Sequence, residues 1–415
     1  RKTVAVPSRS SSPAHETPDV PEPPELYAPE PGDVHARRAA ALREVLHADA
    51  VARDEAGGQP VDAVRALKAS GLNAAWIGRA YGGEGASWTS ILRVVREFAR
   101  TDGSIAHLYG YQHLPLDITA ARATPAQLAN WFPASVRENW LWSNSGNVMS
   151  RTSTARRVGT HWVLDGHRPF SSGTHVADVI QVSWDGDGGR YTAVIPADRD
   201  GVGIAHDWDG IGQRQTGSGT VLFQGVRIAD EELLGRPGDE VTPFVSLNSL
   251  LQQLVLAQVF IGSAQGALAE GRDYTVRESR PWIHSGVERH TDDPWVQRRY
   301  GSLHIRVQAA QALAEQAAAQ LDELYPQGHG LTAHARGSLA ISAAAANVVA
   351  GEVGLAVAEE VFEVMGARSA TRARGYDRFW RNVRTHTLHN PAEYKKRTLG
   401  QWLLDGSHPQ PAPYR

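Results

Sequence analysis

Cysteine is absent from the 415 residues and methionine occurs only twice. Without a thiol there is no cysteine nucleophile, no disulfide framework and no thiolate metal site. That usage fits a reducing compartment, and a cytoplasmic location is expected. Neither sign of charge is in excess: the formal net charge is −3, so neither nucleic acid nor an anionic membrane is expected as a partner. No apolar run reaches the roughly 20 uninterrupted residues of a bilayer span, and the start lacks the charged-then-apolar layout of a secretory leader. Repeats of solenoid length are missing. So is any HExxH-like spacing, and no metal is expected. What remains is an ordinary globular composition, 41% hydrophobic and 21% charged, long enough for two or three domains around a large core.

The chain divides by pattern. Residues 1–33 are rich in Pro, Ser and Glu and read as a tail. Residues 34–142 form an N-terminal helical domain, with apolar residues at three-and-four spacing in HARRAAALREVLHADAVARDEA and WTSILRVVREFARTD. WIGRAYGGEGAS between them is a loop. Residues 143–236 form a β domain of short β-branched strands, with a hairpin turn expected at Asp165-Gly166. Residues 237–415 return to helix, opening at Thr242-Pro243 and again at Asp293-Pro294, with an Ala- and Gly-rich helix from about Thr332 to Val364. The fold class expected is α+β, mostly α: helices, a barrel-like β domain, then a four-helix bundle.

Several stretches bear polar side chains at element ends. RTHTLHNPAEYK (384–395) places His386 and His389 three apart, just before Asn390-Pro391. Asn390 suits an N-cap, Pro391 the first helical position and Glu393 a capping box, so a helix is expected from Pro391 with His389 outside its positive end. Such histidines could simply cap or pack a junction, or they could face a ligand as proton donor or acceptor. FSSG (170–173) and GQRQTGSG (212–219) are turn-like, and neither has the context of a dinucleotide or phosphate loop. WLWSNSGNVMS (140–150) brings aromatics and amides to a domain boundary, where a planar ring could stack. An arginine cluster includes Arg280 and Arg368, one or two of which could clamp a phosphate.

Taken together, YGYQHL (109–114), WSNSGN (142–147), FSSG, WDGIGQRQTGSG (208–219), SRPW (279–282), FEVMGARSA (362–370) and FWRNVRTHTLHNPAEYK (379–395) are similar to one family over nearly the whole chain after residue 34. They resemble the acyl-CoA dehydrogenase superfamily, and within it the flavin-dependent monooxygenase branch typified by dibenzothiophene monooxygenase. Where many dehydrogenases carry a catalytic glutamate after an Arg-rich segment, this chain reads Leu388-His389-Asn390; imidazole stands in for the carboxylate.

The resemblance implies reduced FMN as cofactor, delivered by a separate NAD(P)H:flavin reductase, a homotetramer, and oxygen transfer through a C4a-hydroperoxyflavin to sulfur or nitrogen of an aromatic or natural-product-like molecule. By the same resemblance, His386 and His389 face the flavin ring, Ser172 bonds near its N5 edge, and Asn144 and Asn147 hold the ring or the bound oxygen. His113, with Gln112 as the neighbouring alternative, answers to the histidine of the YGY stretch. Arg280, reaching from an adjacent subunit, and the run Gly366, Ala367, Arg368 and Ser369 meet the phosphate end. Trp142 and Trp208 are expected in the substrate pocket, where flat apolar molecules stack. Three other readings stay open: an amine or amino-sugar N-oxygenase, an FAD-dependent acyl-CoA dehydrogenase, and a non-catalytic flavin-binding protein.

Overall fold

Asp33 closes the proline-rich segment by capping the first helix, its Oδ1 accepting from the Ala36 N–H at 3.0 Å. The computed structural model describes residues 26–412 except 238 and 240. Most of the expected tail lies outside the described residues. Its last residues are held: Arg100 donates to the carbonyls of Leu26 and Tyr27 at 2.9 and 2.8 Å, and the Tyr27 hydroxyl meets His304 at 3.0 Å. From Asp33 the chain forms α1 (Val34–His47), α2 (Ala50–Ala56), α3 (Val61–Ala69), α4 (Trp88–Ala99), α5 (Gly103–Arg122) and α6 (Pro125–Glu138). Ser87, Asp102 and Thr124 each cap their helix through a side-chain oxygen.

Two sheets follow, built from β1 (Trp142–Ser145), β2 (Ser153–Val158), β3 (His161–Arg168), β4 (Val179–Gly186), β5 (Gly189–Pro196), β6 (Val202–Ile204) and β7 (Val221–Ala229). Their strand orders are β1-β4-β5 and β2-β3-β7-β6, with β1 parallel to β4 and the remaining pairs antiparallel. Leu164, Ile180, Val182, Trp184, Phe223 and Ile228 fill the core that both sheets share. The expected hairpin is present, but its turn is Gly159-Thr160. Asp165-Gly166 instead lies inside β3, opposite a bulge of β7 in which Gln224 and Gly225 face the single residue Asp165. Gly166 has φ 121° and a Cβ there would lie 2.3 Å from the Thr152 carbonyl oxygen, so only glycine fits. The Asp165 side chain accepts from the Gly225 N–H at 2.7 Å.

The C-terminal part comprises α7 (Leu247–Arg277), α8 (Pro294–Leu324), α9 (Ala333–Met365), α10 (Asp377–Thr387) and α11 (Ala392–Asp405). Asp293 and Thr332 cap α8 and α9. The helix expected at Thr242-Pro243 begins later, at Leu247, after a turn in which Thr242 Oγ1 accepts from the Val245 N–H. Helices α7 and α9 contain windows as hydrophobic as a membrane span, contrary to the sequence expectation, yet 83% and 67% of those windows are buried in the protein. Glycines let α7 approach α4 closely: a Cβ on Gly262 or Gly266 would sit 2.3 or 2.1 Å from the carbonyl oxygens of Arg96 and Arg100. One continuous apolar core therefore runs through the N-terminal helices and the bundle, and the β domain keeps its own.

Candidate active site

Helix α10 turns one face inward through Phe379, Asn382, Val383 and His386, all buried. His386, 8% exposed, stacks on His107 of α5 with ring centroids 4.4 Å apart and planes 20° apart. His107 in turn lies against Tyr111, one helical turn on, at 3.8 Å and 32°. The three rings form a ladder with His107 in the middle, and His389 meets Tyr111 edge-on at 6.4 Å and 90°. Both ring nitrogens of His107 and Nε2 of His386 are buried with no hydrogen-bond partner. Such atoms ordinarily find one, so the ladder presents polar atoms to something the chain itself does not supply.

Burial keeps these imidazoles neutral. The pKa of His386 falls to about 3, first by desolvation and then by His389. His107 is pushed well below its ordinary value by desolvation, then by His386 and His389. His389 stands at the exposed rim; crowding and then the Lys395 ammonium lower it to about 4, and water at the rim moderates the effect. Helix α11 starts at Ala392, and its N-cap is Pro391, extended at ψ 124°. Glu393 turns away to Lys396 at 2.9 Å.

A ledge of hydroxyls is tied to the helices that carry these rings. Ser172 Oγ pairs with Ser218 Oγ at 2.6 Å, and Ser218 with Thr216 at 2.7 Å. Ser143 Oγ donates to the Ser172 carbonyl at 2.7 Å, and Ser145 pairs with Ser171 at 2.8 Å. The FSSG turn, the GQRQTGSG loop and β1 are thus one unit. Among its bonds to the helices, the Gln213 N–H donates to Asn382 Oδ1 at 2.7 Å, one turn before His386, and the Gln215 N–H donates to Ser104 Oγ at 3.2 Å, one turn before His107. Asn144, on β1, is half-buried and its Oδ1 accepts from the Gly146 N–H at 3.3 Å. Asn147 Oδ1 accepts from the Met149 N–H at 3.0 Å.

Other expected residues lie elsewhere. His113 is buried on another face of α5, its Nδ1 on the Tyr109 carbonyl at 2.8 Å and its ring edge-on to Tyr109 and Trp88. The helical rotation from Tyr111 to position 113 is about 200°, which carries it away from His386. Gln112 reaches Asn73 instead. The α5 histidine at the site is His107, and the signal for it was the four-residue step from 107 to 111. Trp142 is not a pocket wall: it is 2% exposed in a core with Ile77, Leu116 and Phe132, and its indole N–H donates to Ser135 at 3.0 Å. Trp208 turns onto its own loop, donating to the Gln213 carbonyl at 2.8 Å.

Arg280 and the run 366–369 do come together, since Ser279 Oγ donates to the Met365 carbonyl at 2.8 Å and Arg368 to the Glu278 carbonyl at 2.5 Å. They sit at the far end of α9, however. Helix α10 packs on Gly351 and Gly354, about 20 Å along the axis from Met365 at 1.5 Å per residue. One chain does not bring these arginines to its own histidines. Among the described residues, no group of three or more His, Asp or Glu side chains is arranged to hold a metal ion.

Comparison with known proteins agrees with this geometry. The sequence matches the acyl-CoA dehydrogenase N-terminal domain over residues 34–139 and its C-terminal domain over 254–393. A probable FMNH2-dependent monooxygenase, SfnC of Pseudomonas putida, is 40% identical over 88% of this chain and 93% of its own length. The chain belongs to the flavin-dependent monooxygenase branch of the acyl-CoA dehydrogenase family. Among solved structures, methanesulfinate monooxygenase MsuC from Pseudomonas fluorescens superposes with a TM-score of 0.89 at 40% identity, covering 92% of this chain and 99% of that one. The dibenzothiophene monooxygenase TdsC from Paenibacillus sp. A11-2, solved with FMN and indole, gives 0.88 at 36% identity, covering 92% and 100%.

Proposed function

We propose that this protein is a two-component monooxygenase that receives reduced FMN from a separate NAD(P)H:flavin reductase and uses O2 to oxygenate the sulfur of a small molecule. The observation that carries the reading is the ladder Tyr111–His107–His386, whose buried ring nitrogens have no protein partner. When bound, reduced FMN supplies the electrons that activate O2, one oxygen atom going to the substrate and the other leaving as water.

The chain's own residues hold and shield that chemistry. Ser172 is pre-oriented by Ser218 and can still offer its hydroxyl to a ring N–H. A neutral imidazole is a poor stored acid but a good relay: His386 can take a proton on one nitrogen while releasing one from Nε2 as negative charge develops nearby. Proton delivery of this kind contributes roughly 10² to 10⁴ in rate. Leu108 lies so near Gly173 that a Cβ there would come 3.0 Å from its Cδ2, and this apolar side chain with the stacked rings would limit water at the ledge. Leu388-His389-Asn390 stands where many dehydrogenases of the family carry the glutamate that abstracts the substrate α-proton, so this reading favours oxygenation over α,β-dehydrogenation of an acyl thioester. Arg280, Gly366, Ala367, Arg368 and Ser369 serve the flavin phosphate of a neighbouring subunit in a homotetramer. Their distance from the same chain's histidines supports this, as do the exposed Trp282 and Ile283 beside Arg280.

The test is anaerobic mixing with reduced FMN and either thioaromatics or alkanesulfinates, followed by isotope-labelled O2. Label in the product supports the proposal. Stoichiometric peroxide with untouched substrate in every case overturns it.

A further inference from the structure

One buried cation beside the histidines has no counter-charge. Lys395, in the second turn of α11, is 7% exposed. Its Nζ has a single partner, the Asn390 carbonyl at 3.2 Å, although an ammonium carries three donors. Other buried cations are matched: Arg96 by Glu315 at 2.7 Å, Arg100 by Glu97 at 3.0 Å, and Arg378 by Glu270. Arg168, which lacks a carboxylate, is surrounded by four oxygen acceptors, and Arg336 donates to oxygens of Ser246 and Ser249. The acids near Lys395 are already taken, because Lys396 holds both Glu352 and Glu393 at 2.9 Å. Among the described residues no carboxylate pairs with Lys395.

Its position gives the deficit a use. The one bond it makes is to the residue after His389, and its charge is felt by that imidazole. Burial lowers its pKa to about 8, which leaves it mostly protonated at neutral pH. A desolvated ammonium with two idle donors is unfavourable unless a ligand matches it.

We propose that Lys395 is a ligand-binding residue whose ammonium takes an anionic group bound beside His386 and His389. The anion is either the negatively charged ring of reduced flavin or the oxyanion of a sulfinate-type substrate, and this choice of ligands rests on the flavin monooxygenase reading above. A neutral ligand gains nothing from this cation, and an anion completes it.

The experiment compares affinities at pH 7 for two matched pairs, oxidised against anaerobically reduced FMN and benzenesulfinate against neutral dimethyl sulfone. It uses the full chain, Lys395→Met and Lys395→Arg, with Lys395→Gln replacing the methionine variant if that one fails to fold. The expected result is a loss of about 10- to 100-fold for one anion in Lys395→Met, its neutral counterpart moving less than about threefold, and partial recovery with arginine. A loss confined to reduced FMN assigns the flavin, and one confined to benzenesulfinate assigns the substrate. Equal changes within both pairs, or none, overturn the proposal, as does a wild-type chain that binds neither anion. A wild-type chain that binds no FMN in either state overturns the flavin reading, while the sulfinate pair still decides Lys395.

Discussion

The two walls of the site handle their polar atoms in opposite ways. On the ledge, the hydroxyls of Ser143, Ser145, Ser171, Ser172, Thr174, Thr216 and Ser218 bond to one another or to nearby carbonyls. On the ladder, buried nitrogens of His107 and His386 have no partner. Satisfied polar groups fix a shape, whereas unsatisfied ones are tolerated only where something else completes them. The ledge is a mould and the ladder is where chemistry is expected.

The largest effect should come from breaking the ladder. His386→Ala is expected to lower product formation by roughly 10² to 10⁴, to raise peroxide release, and to change oxidised FMN affinity much less, as read by oxygen uptake alongside product yield. His107→Phe keeps the stacking but removes both nitrogens and should shift the same ratio. His113→Phe, on the same helix but outside the ladder, should leave it unchanged, and an equal effect at both positions would dissolve the distinction.

Next in size is Arg168, which fixes the strand end from which the ledge departs. It donates to the Asn147, Ser150 and Ser183 carbonyls and to Ser153 Oγ. Arg168→Met leaves several buried acceptors unmatched and should cost about 3 kcal/mol or more, measured as a lower urea midpoint with an unaltered slope.

A pH effect separates the walls again, since only one of them titrates. His386 and His113 are held at about 3 and about 4, below the unfolded value near 6.5. Between about pH 4 and 6.5 the unfolded chain therefore binds more protons, so stability rises with pH there and is lost as pH falls. Each such histidine contributes at most about 1.4 kcal/mol per pH unit. Denaturation midpoints across that window should show the slope, and His386→Phe, on the ladder wall, should reduce it. The smallest effect is expected on the ledge itself: Ser172→Ala should raise peroxide release by about tenfold or less, since it removes a single hydrogen bond of about 1 kcal/mol.

The order of helical and β segments was legible because apolar spacing changes from three-and-four to two along the chain. The FSSG and Thr-His-Thr-Leu-His stretches were legible because their residues resemble a family run. What escaped depended on phase or on reach. His113 and His107 differ only in the helical face they share with Tyr111, and a motif read as a string does not show faces. Asp165-Gly166 has turn chemistry but stays within a strand, opposite a bulge of β7, because β3 continues to pair on both sides of it. Trp142 carries an aromatic into what looked like a cleft, but Ile77 and Phe132 of α6 pack over it. The separation of Arg280 from His386 is a matter of helix length, which no local motif encodes.

The bond between the Gln213 N–H and Asn382 has a mechanical consequence. Helix α10 is only 11 residues long, and this attachment grips it at mid-length, like a fulcrum under a short lever. His386 rides on one arm, so the gap between imidazole and ledge is set by this amide together with the Arg381 donation to the Ile211 carbonyl at 3.0 Å, and not by the looser relation between whole domains. Slackening that grip would let the gap breathe, and a solvent molecule entering it would divert oxygen away from the substrate without any reacting group having been touched.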